Sequence, residues 1–388
     1  MRISKLEMFN RSKINFLYRW WESIDRTVLF LTILTLLLGN IFTAIASPVV
    51  ASRIGASTNI FIVKNLVFSL FGLVIIIAVS TLDEEKIVYI SFVLFCLLIF
   101  LMMAVLIFGS TNKGAKRWMY MFGFSLQPSE IIKPFFIIST SFILTKFKKI
   151  ENLHIVVALI LYIILSFLLV LQPDIGMLIL ISAIFFSELF LIMVQLKYFA
   201  GLIFGVAIVM VLLYLLFPHF HNRINTFFGS MFLGGEKSYQ VQKSLSAFNN
   251  GGLLGKGPLE GSIKNYIPDV HTDFIFSVIG EEFGAIACIL VIFIFFYIAI
   301  RMMLKTVDDS DDFRYVAINC LSLQFLLQAV INIGVTLNLL PTKGMTLPLI
   351  SYGGSSMIGT SITIGFLLAL SKKTYGNLKV NIRSLLEK

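Results

Sequence analysis

A succession of apolar runs, each close to the length that crosses a bilayer, restricts this chain more than anything else in it. They are Thr27 to Ser47, Asn59 to Leu82, Ile87 to Phe108, Ser129 to Thr145, Leu153 to Leu171, Ile175 to Val194, Tyr198 to Phe217, Phe274 to Ile300, Phe313 to Leu340 and Leu347 to Leu370. A hydrocarbon core about 30 Å thick takes about 20 helical residues to cross. Without water there, backbone amides and carbonyls must bond within each segment, so the runs should be helices. The 58% share of hydrophobic residues against 13% charged excludes an ordinary soluble domain. The expectation is an all-α integral membrane protein of ten transmembrane helices, with a basic segment at 1–26, one membrane domain at 27–370 and a basic tail at 371–388.

Lys and Arg orient it. Arg2, Lys5, Arg11, Lys13, Arg19 and Arg26 come before or at the first run, and Lys146, Lys148 and Lys149 follow the fourth. Arg301, Lys305 and Arg314 lie around the join of the eighth and ninth, and Lys372, Lys373, Lys379, Arg383 and Lys388 follow the tenth. Such cations collect on the cytoplasmic side, so both termini are expected there. The net charge of +10 then reads as topology plus attraction to anionic lipid, not as nucleic-acid binding. Ala44-Ile45-Ala46 resembles a signal-peptidase site, but the apolar run before it is longer than a typical signal segment, so the first helix should stay uncleaved. Cys96, Cys288 and Cys320 fall on different spans without metal-ligand spacing and read as packing residues.

One long extracytoplasmic loop, 218–272, joins the seventh and eighth spans and is rich in Gly, Asn and Lys. Unstructured insertions of that length are usually functional or disordered. Within it Val241, Leu245 and Phe248 recur at helical spacing, which suits a helix that caps the bundle or lies on the bilayer. The chain then re-enters the membrane through HTDFIFSVIGEE, His271 to Glu282, carrying three carboxylates. An ionised acid at mid-membrane costs roughly 2.5 to 3.5 kcal/mol, so Glu281 and Glu282 should face protein or water. Asp273 is about two turns nearer the loop, within reach of headgroups and of a polar substrate. Thr272 or Asp273 would also serve there as a cap for the eighth helix.

Other polar groups fall on the same outer side. Gly114-Ala115-Lys116-Arg117-Trp118 joins two cations to an interfacial aromatic, an arrangement that also suits a plain membrane-surface anchor. Gln127-Pro128-Ser129-Glu130 is ordinary helix-start chemistry for the fourth span. Lys133, one turn further in, is spaced to pair with Glu130, and a buried pair of that kind normally lines a cavity. Gln172-Pro173-Asp174 separates the fifth span from the sixth, with Asp174 placed to cap the latter. Gln324, Gln328 and Asn332 put three amides on one face of the ninth span, as bonds between helices require. Glu188, in the sixth span, has no assignable partner. Pro341 to Pro348 and Ser351 to Ser356 carry irregular backbone and small residues, tolerated at membrane depth only beside protein or a watery cavity. An outer cavity follows.

GAKRW, QPSEIIK, QPDIG, HTDFIFSVIGEEFG and LPTKGMTLPLISYGGSS stand in the order and approximate spacing of the SEDS family (shape, elongation, division, sporulation). The chain resembles that family from its first span onward. The Lys343 segment and the long loop look more like the division-type members than the elongation-type, and Asp269 stands where many relatives carry Glu. The resemblance implies a peptidoglycan glycosyltransferase that polymerises lipid II on the outer face of the bacterial cytoplasmic membrane, at the septum for a division-type member. It maps the family's catalytic aspartate onto Asp273, as general base. Arg117, Lys116 and Lys133 become candidates to contact the diphosphate, Glu130 positions Lys133, and His271 and Ser355 are candidates for substrate contact. A class B penicillin-binding protein, the septal transpeptidase, is the implied partner, beside other divisome membrane proteins. No protein cluster calls for a metal; a divalent cation, Mg or Mn, is implied only as a bridge on the substrate diphosphate. Two other classes stay open: a flippase that carries lipid II across the membrane, which inverted repeats would favour, and a scaffold that only recruits partners.

Overall fold

The computed structural model describes residues 18–112, 115–121, 124–146, 153–192, 214–215, 221, 225, 227–229, 238–307, 311–341 and 344–372. The seventh expected span, Tyr198 to Phe217, lies outside the described residues apart from Tyr214 and Leu215, as do Gly114, Lys343, 1–17 and 373–388.

Nine helices coincide with the other nine expected spans: α1 (Arg26–Arg53), α2 (Ile60–Ser80), α3 (Glu84–Phe108), α4 (Pro128–Lys146), α5 (Leu153–Leu171), α6 (Ile175–Ile192), α8 (Ile275–Leu304), α9 (Asp312–Thr336) and α10 (Gly354–Leu370). Helix α7 (Tyr239–Gly251) lies in the long loop. Seven of them, α1–α3, α5, α6, α8 and α9, are long and apolar enough to cross a membrane, and α10 is a shorter apolar helix. Local chemistry sets their ends. Asp25 accepts from Val28 N at 3.1 Å to open α1, and Asp311 accepts from Phe313 N at 3.0 Å to open α9. Pro128 starts α4, where its missing N–H removes no helical bond.

Burial runs opposite to that of a water-soluble bundle. On α2 the buried stripe is Asn65, Ser69, Gly72, Ile76 and Ser80, while Val63, Leu66, Leu70 and Val74 face outward and are at least half exposed. Small and polar residues inside with large apolar ones outside is the arrangement of helices in lipid, where close approach and hydrogen bonds hold the bundle. Helix α4 is enclosed on nearly every side by α3, α5, α6, α9 and α10, with Ile132, Phe135, Phe136 and Leu144 in the core. At one end of the bundle Asp25 pairs with Arg301 at 2.8 Å and Lys305 at 2.7 Å, tying α1 to α8. Helix α7 caps the opposite end: Val241 and Ala247 bury against Ile45, Phe274, Val278 and Val335.

A short non-helical element interrupts the helical bundle, between α3 and α4. There β1 (Ser110–Asn112), β2 (Ala115–Met121) and β3 (Phe124–Leu126) form an antiparallel sheet in that order, with Ser110 opposite Trp118 and Tyr120 opposite Ser125. Trp118 and Tyr120 favour extended backbone, and strand pairing satisfies the amides of a segment that lies outside any helix. Two helix ends also move. Helix α10 begins at Gly354, not Leu347, because Pro348 disfavours helical backbone before it and Leu349 takes φ 62°. Helix α9 stops at Thr336, short of Leu340, where Asn338 turns left-handed at φ 58° and Leu339 N folds back on Gly334 O at 2.7 Å.

Candidate active site

Asp273 sits one residue before the N-cap of α8, half-buried, where the long loop meets the bundle. Phe274 is the N-cap residue and makes no side-chain capping bond. Three connections hold its backbone region. Asp273 N donates to Asp269 O at 3.2 Å, Tyr352 N donates to His271 O at 3.0 Å, and Asn332 Nδ2 donates to Asp273 O at 2.9 Å. Asn332 also donates to Met345 O at 2.5 Å, so one amide on α9 pins the 344–346 segment beside Asp273. A methyl group at Gly344 would lie 2.7 Å from Asp273 Oδ2, so that segment touches the carboxylate itself.

A polar array continues from there into the bundle. Gln328 Nε2 donates to Thr346 O at 3.3 Å and Ser356 Oγ at 3.2 Å, and Thr346 donates to Ser356 at 2.6 Å. Gln328 Oε1 accepts from Lys133 Nζ at 2.7 Å, and Lys133 donates to Glu130 Oε2 at 2.7 Å. Lys133 is 1% exposed. The i, i+3 pair read from the sequence therefore forms, and the amide stripe of α9 is what meets it. Gln324 extends the stripe by accepting from Thr363 at 2.9 Å. A buried ammonium on a carboxylate and an amide oxygen is charge-compensated, which makes it tolerable there.

Lys116 and Arg117 separate because neighbours on a strand point to opposite faces. Lys116 is exposed. Arg117 turns inward: Nε donates to Gln172 O at 3.1 Å, an Nη to Pro173 O, and another Nη lies 3.5 Å from Asp174 Oδ1. Asp174 also accepts from Met177 N at 3.4 Å, the expected cap of α6, and from Gln127 at 3.3 Å. Ser355 joins this cluster to α10, accepting from Gln127 N at 2.8 Å.

His271 is packed between rings, 4.7 Å from Phe61 and 5.2 Å from Tyr352 by centroid, and it is 5% exposed. Its Nδ1 has no hydrogen-bond partner among the described residues. Burial lowers its pKa to about 4, against a smaller upward pull from Asp269. An unfolded His titrates near 6.5, so between pH 6.5 and 4 the unfolded chain binds the extra proton. Stability is therefore undiminished above pH 6.5 and falls as pH drops through that window, by on the order of 3 kcal/mol. Thermal midpoints of the detergent-purified protein at pH 7 and pH 4.5 should show this drop, and His271→Gln should reduce it.

Glu281 and Glu282 face protein, as the cost of lipid requires, and their partners come from the loop. Glu281 accepts from Asn250 Nδ2 at 2.9 Å, Ile263 N at 2.8 Å and Lys264 N at 3.0 Å, and Glu282 accepts from Leu259 N and pairs with Lys264. Helix α8 is broken just beyond them, at Gly284 with φ 77°. The loop fills the break: Lys256 N and Gly257 N donate to the carbonyls of Glu281 and Glu282 at 3.0 Å, and Ala285 N donates to Gly252 O at 2.9 Å. A side chain at Gly284 would strike Leu253 O at 2.3 Å. No local pattern in the sequence marks Lys264 and Asn250 as the partners; only the cost of two acids on an apolar helix points to partners at all.

Glu188 accepts from Ser141 Oγ at 2.9 Å and is fully buried, away from this array. Among the described residues no three His, Cys, Asp or Glu side chains cluster to hold an ion.

The sequence profile of the FtsW/RodA/SpoVE cell cycle proteins matches residues 25–376. The probable peptidoglycan glycosyltransferase FtsW of Caulobacter vibrioides is 37% identical over 371 residues, covering 95% of this chain and 94% of that protein. Among solved structures, a chain of a peptidoglycan synthase complex that coordinates polymerization and crosslinking aligns with a TM-score of 0.72 at 21% identity, covering 90% of this chain and 97% of that one. The rod shape-determining protein RodA of Thermus thermophilus aligns with a TM-score of 0.67 at the same identity and coverage. These likenesses extend over both the bundle and the residues around Asp273 and make this a multi-pass membrane protein: the chain belongs to the FtsW/RodA/SpoVE family, the SEDS family of its sequence resemblance.

Proposed function

We propose that this protein is a peptidoglycan glycosyltransferase that polymerises lipid II, with Asp273 as general base. The observation that carries the reading is the 37% identity, over 95% of the chain, to a protein named a probable peptidoglycan glycosyltransferase. The site's chemistry agrees with it. An acceptor sugar hydroxyl attacks the anomeric carbon of the lipid-linked donor, the bond from that carbon to the diphosphate oxygen breaks, and the hydroxyl proton passes to the Asp273 carboxylate. Direct attack inverts the anomeric centre. The departing diphosphate needs cations, and Lys116 is the exposed one on β2. Arg117 contributes by fixing the 172–174 turn and through its charge, and Lys133, positioned by Glu130, contributes from beneath. His271 and Ser355 are the remaining candidates for substrate contact. A divalent cation, Mg or Mn, would arrive on the diphosphate.

The reading includes ten spans with both termini in the cytoplasm, so that Asp273, the sheet and the loop lie outside, at the cytoplasmic membrane. The likeness to relatives named FtsW supports a division-type, septal role, and the alignment with a chain of a peptidoglycan synthase complex that coordinates polymerization and crosslinking supports a class B penicillin-binding protein as partner. Purified protein in liposomes with labelled lipid II tests this against transport: glycan polymer supports synthesis, and translocation without polymer supports a flippase. Within the synthase reading, Gly344→Ala should push the Asp273 carboxylate aside, since its methyl would sit 2.7 Å from Oδ2. Polymer yield on gels should fall roughly 10- to 100-fold, with the thermal midpoint unchanged.

A further inference from the structure

Leu253 and Leu254 are 72% and 81% exposed, which is unusual for two successive leucines in a segment whose backbone is so firmly held. Gly252 O and Leu253 O accept from Ala285 N and Ile286 N at 2.9 and 3.3 Å, so the pair lies against the first turn after the break in α8. From that turn an exposed apolar stripe runs down the helix: Ile286, Ile289, Leu290 and Phe293, all at least 50% exposed. The leucines extend this stripe beyond the break. Depth can be set by length. Residues 285–304 span about 30 Å at 1.5 Å per residue, the thickness of a hydrocarbon core. With Arg301 and Lys305 at the inner end, Gly284 falls at the outer edge of the core.

We infer that the 252–257 elbow is a membrane-seated segment: Leu253 and Leu254 insert among the acyl chains of the outer leaflet, beside the lipid-facing stripe of α8. The occupant of this apolar surface is lipid because the stripe it continues belongs to a helix long and apolar enough to cross a membrane. Insertion also explains the geometry above it. Glu281, Glu282 and Lys264 lie just past the break, and the elbow with its following turn covers all three from lipid, leaving each carboxylate bonded to loop donors. The loop that carries Asp273 is thus fastened twice, by hydrogen bonds to the broken helix and by two side chains in the bilayer. This inference rests on the outward placement of the loop under the proposed function.

The test uses nitroxide labels on the full-length protein in phospholipid nanodiscs, after replacing Cys96, Cys288 and Cys320. Leu254→Cys is compared with Ile289→Cys on the stripe and with Gln242→Cys on the exposed face of α7, using collision with oxygen and with a water-soluble nickel chelate. Expected is an oxygen-to-nickel ratio at 254 close to that at 289 and several-fold above that at 242. A ratio at 254 matching 242, while 289 reads as lipid, overturns the elbow and leaves the span reading intact. Lipid-shielded values at neither 254 nor 289 overturn both. Protection of 254 from both reagents means that protein covers it and also overturns the inference. Leu253→Cys repeats the measurement should the first variant fold poorly.

Discussion

Lys133→Met should lower the stability of the purified protein by about 3 to 5 kcal/mol, the cost of leaving a buried charge without its partner. The ammonium is 1% exposed and holds Glu130 and Gln328 at 2.7 Å each. Removing it strands the Glu130 carboxylate inside the bundle and releases the Gln328 amide that binds Thr346 and Ser356. Adding Glu130→Gln should restore most of the loss, since an uncharged pair avoids the desolvation penalty. Denaturation midpoints of the single and double variants check this, and equal midpoints for Lys133→Met and the parent would show the pair to be energetically silent. Activity should not return with the double variant, because the charge beneath the site is still missing.

How much of this was legible in the sequence depended on whether a contact is local. Nine of the ten expected spans were legible because lipid leaves few backbone options, and the turn at Gln172-Pro173-Asp174 divided α5 from α6 as expected. The Glu130–Lys133 pair and the Gln324, Gln328 and Asn332 stripe were legible because helical spacing alone sets them. Contacts between distant segments were not. Nothing in Lys116-Arg117-Trp118 announced that Arg117 would bind the carbonyls of Gln172 and Pro173, or that the segment would pair as a strand. Lys264 reaches Glu282 across an irregular loop whose path no period encodes. Hydropathy averages over a window, so it passed across Gly284, where one left-handed residue breaks α8 and lets the loop in.

Asp273→Asn should leave substrate binding nearly intact and slow transfer by roughly 10² to 10⁴, the usual worth of a general base. The amide is isosteric and keeps the backbone bonds to Asp269 and Asn332, so its defect is chemical. It still accepts a hydrogen bond from the acceptor hydroxyl but no longer takes its proton. The most direct measurement is the single-turnover rate of transfer from labelled lipid II, made on parent and Asp273→Asn at saturating substrate, with binding and thermal midpoint read on the same preparations. The expected result is a rate at least about a hundredfold lower with affinity and midpoint preserved. Transfer at the parent rate by a folded, substrate-binding Asp273→Asn would contradict the account.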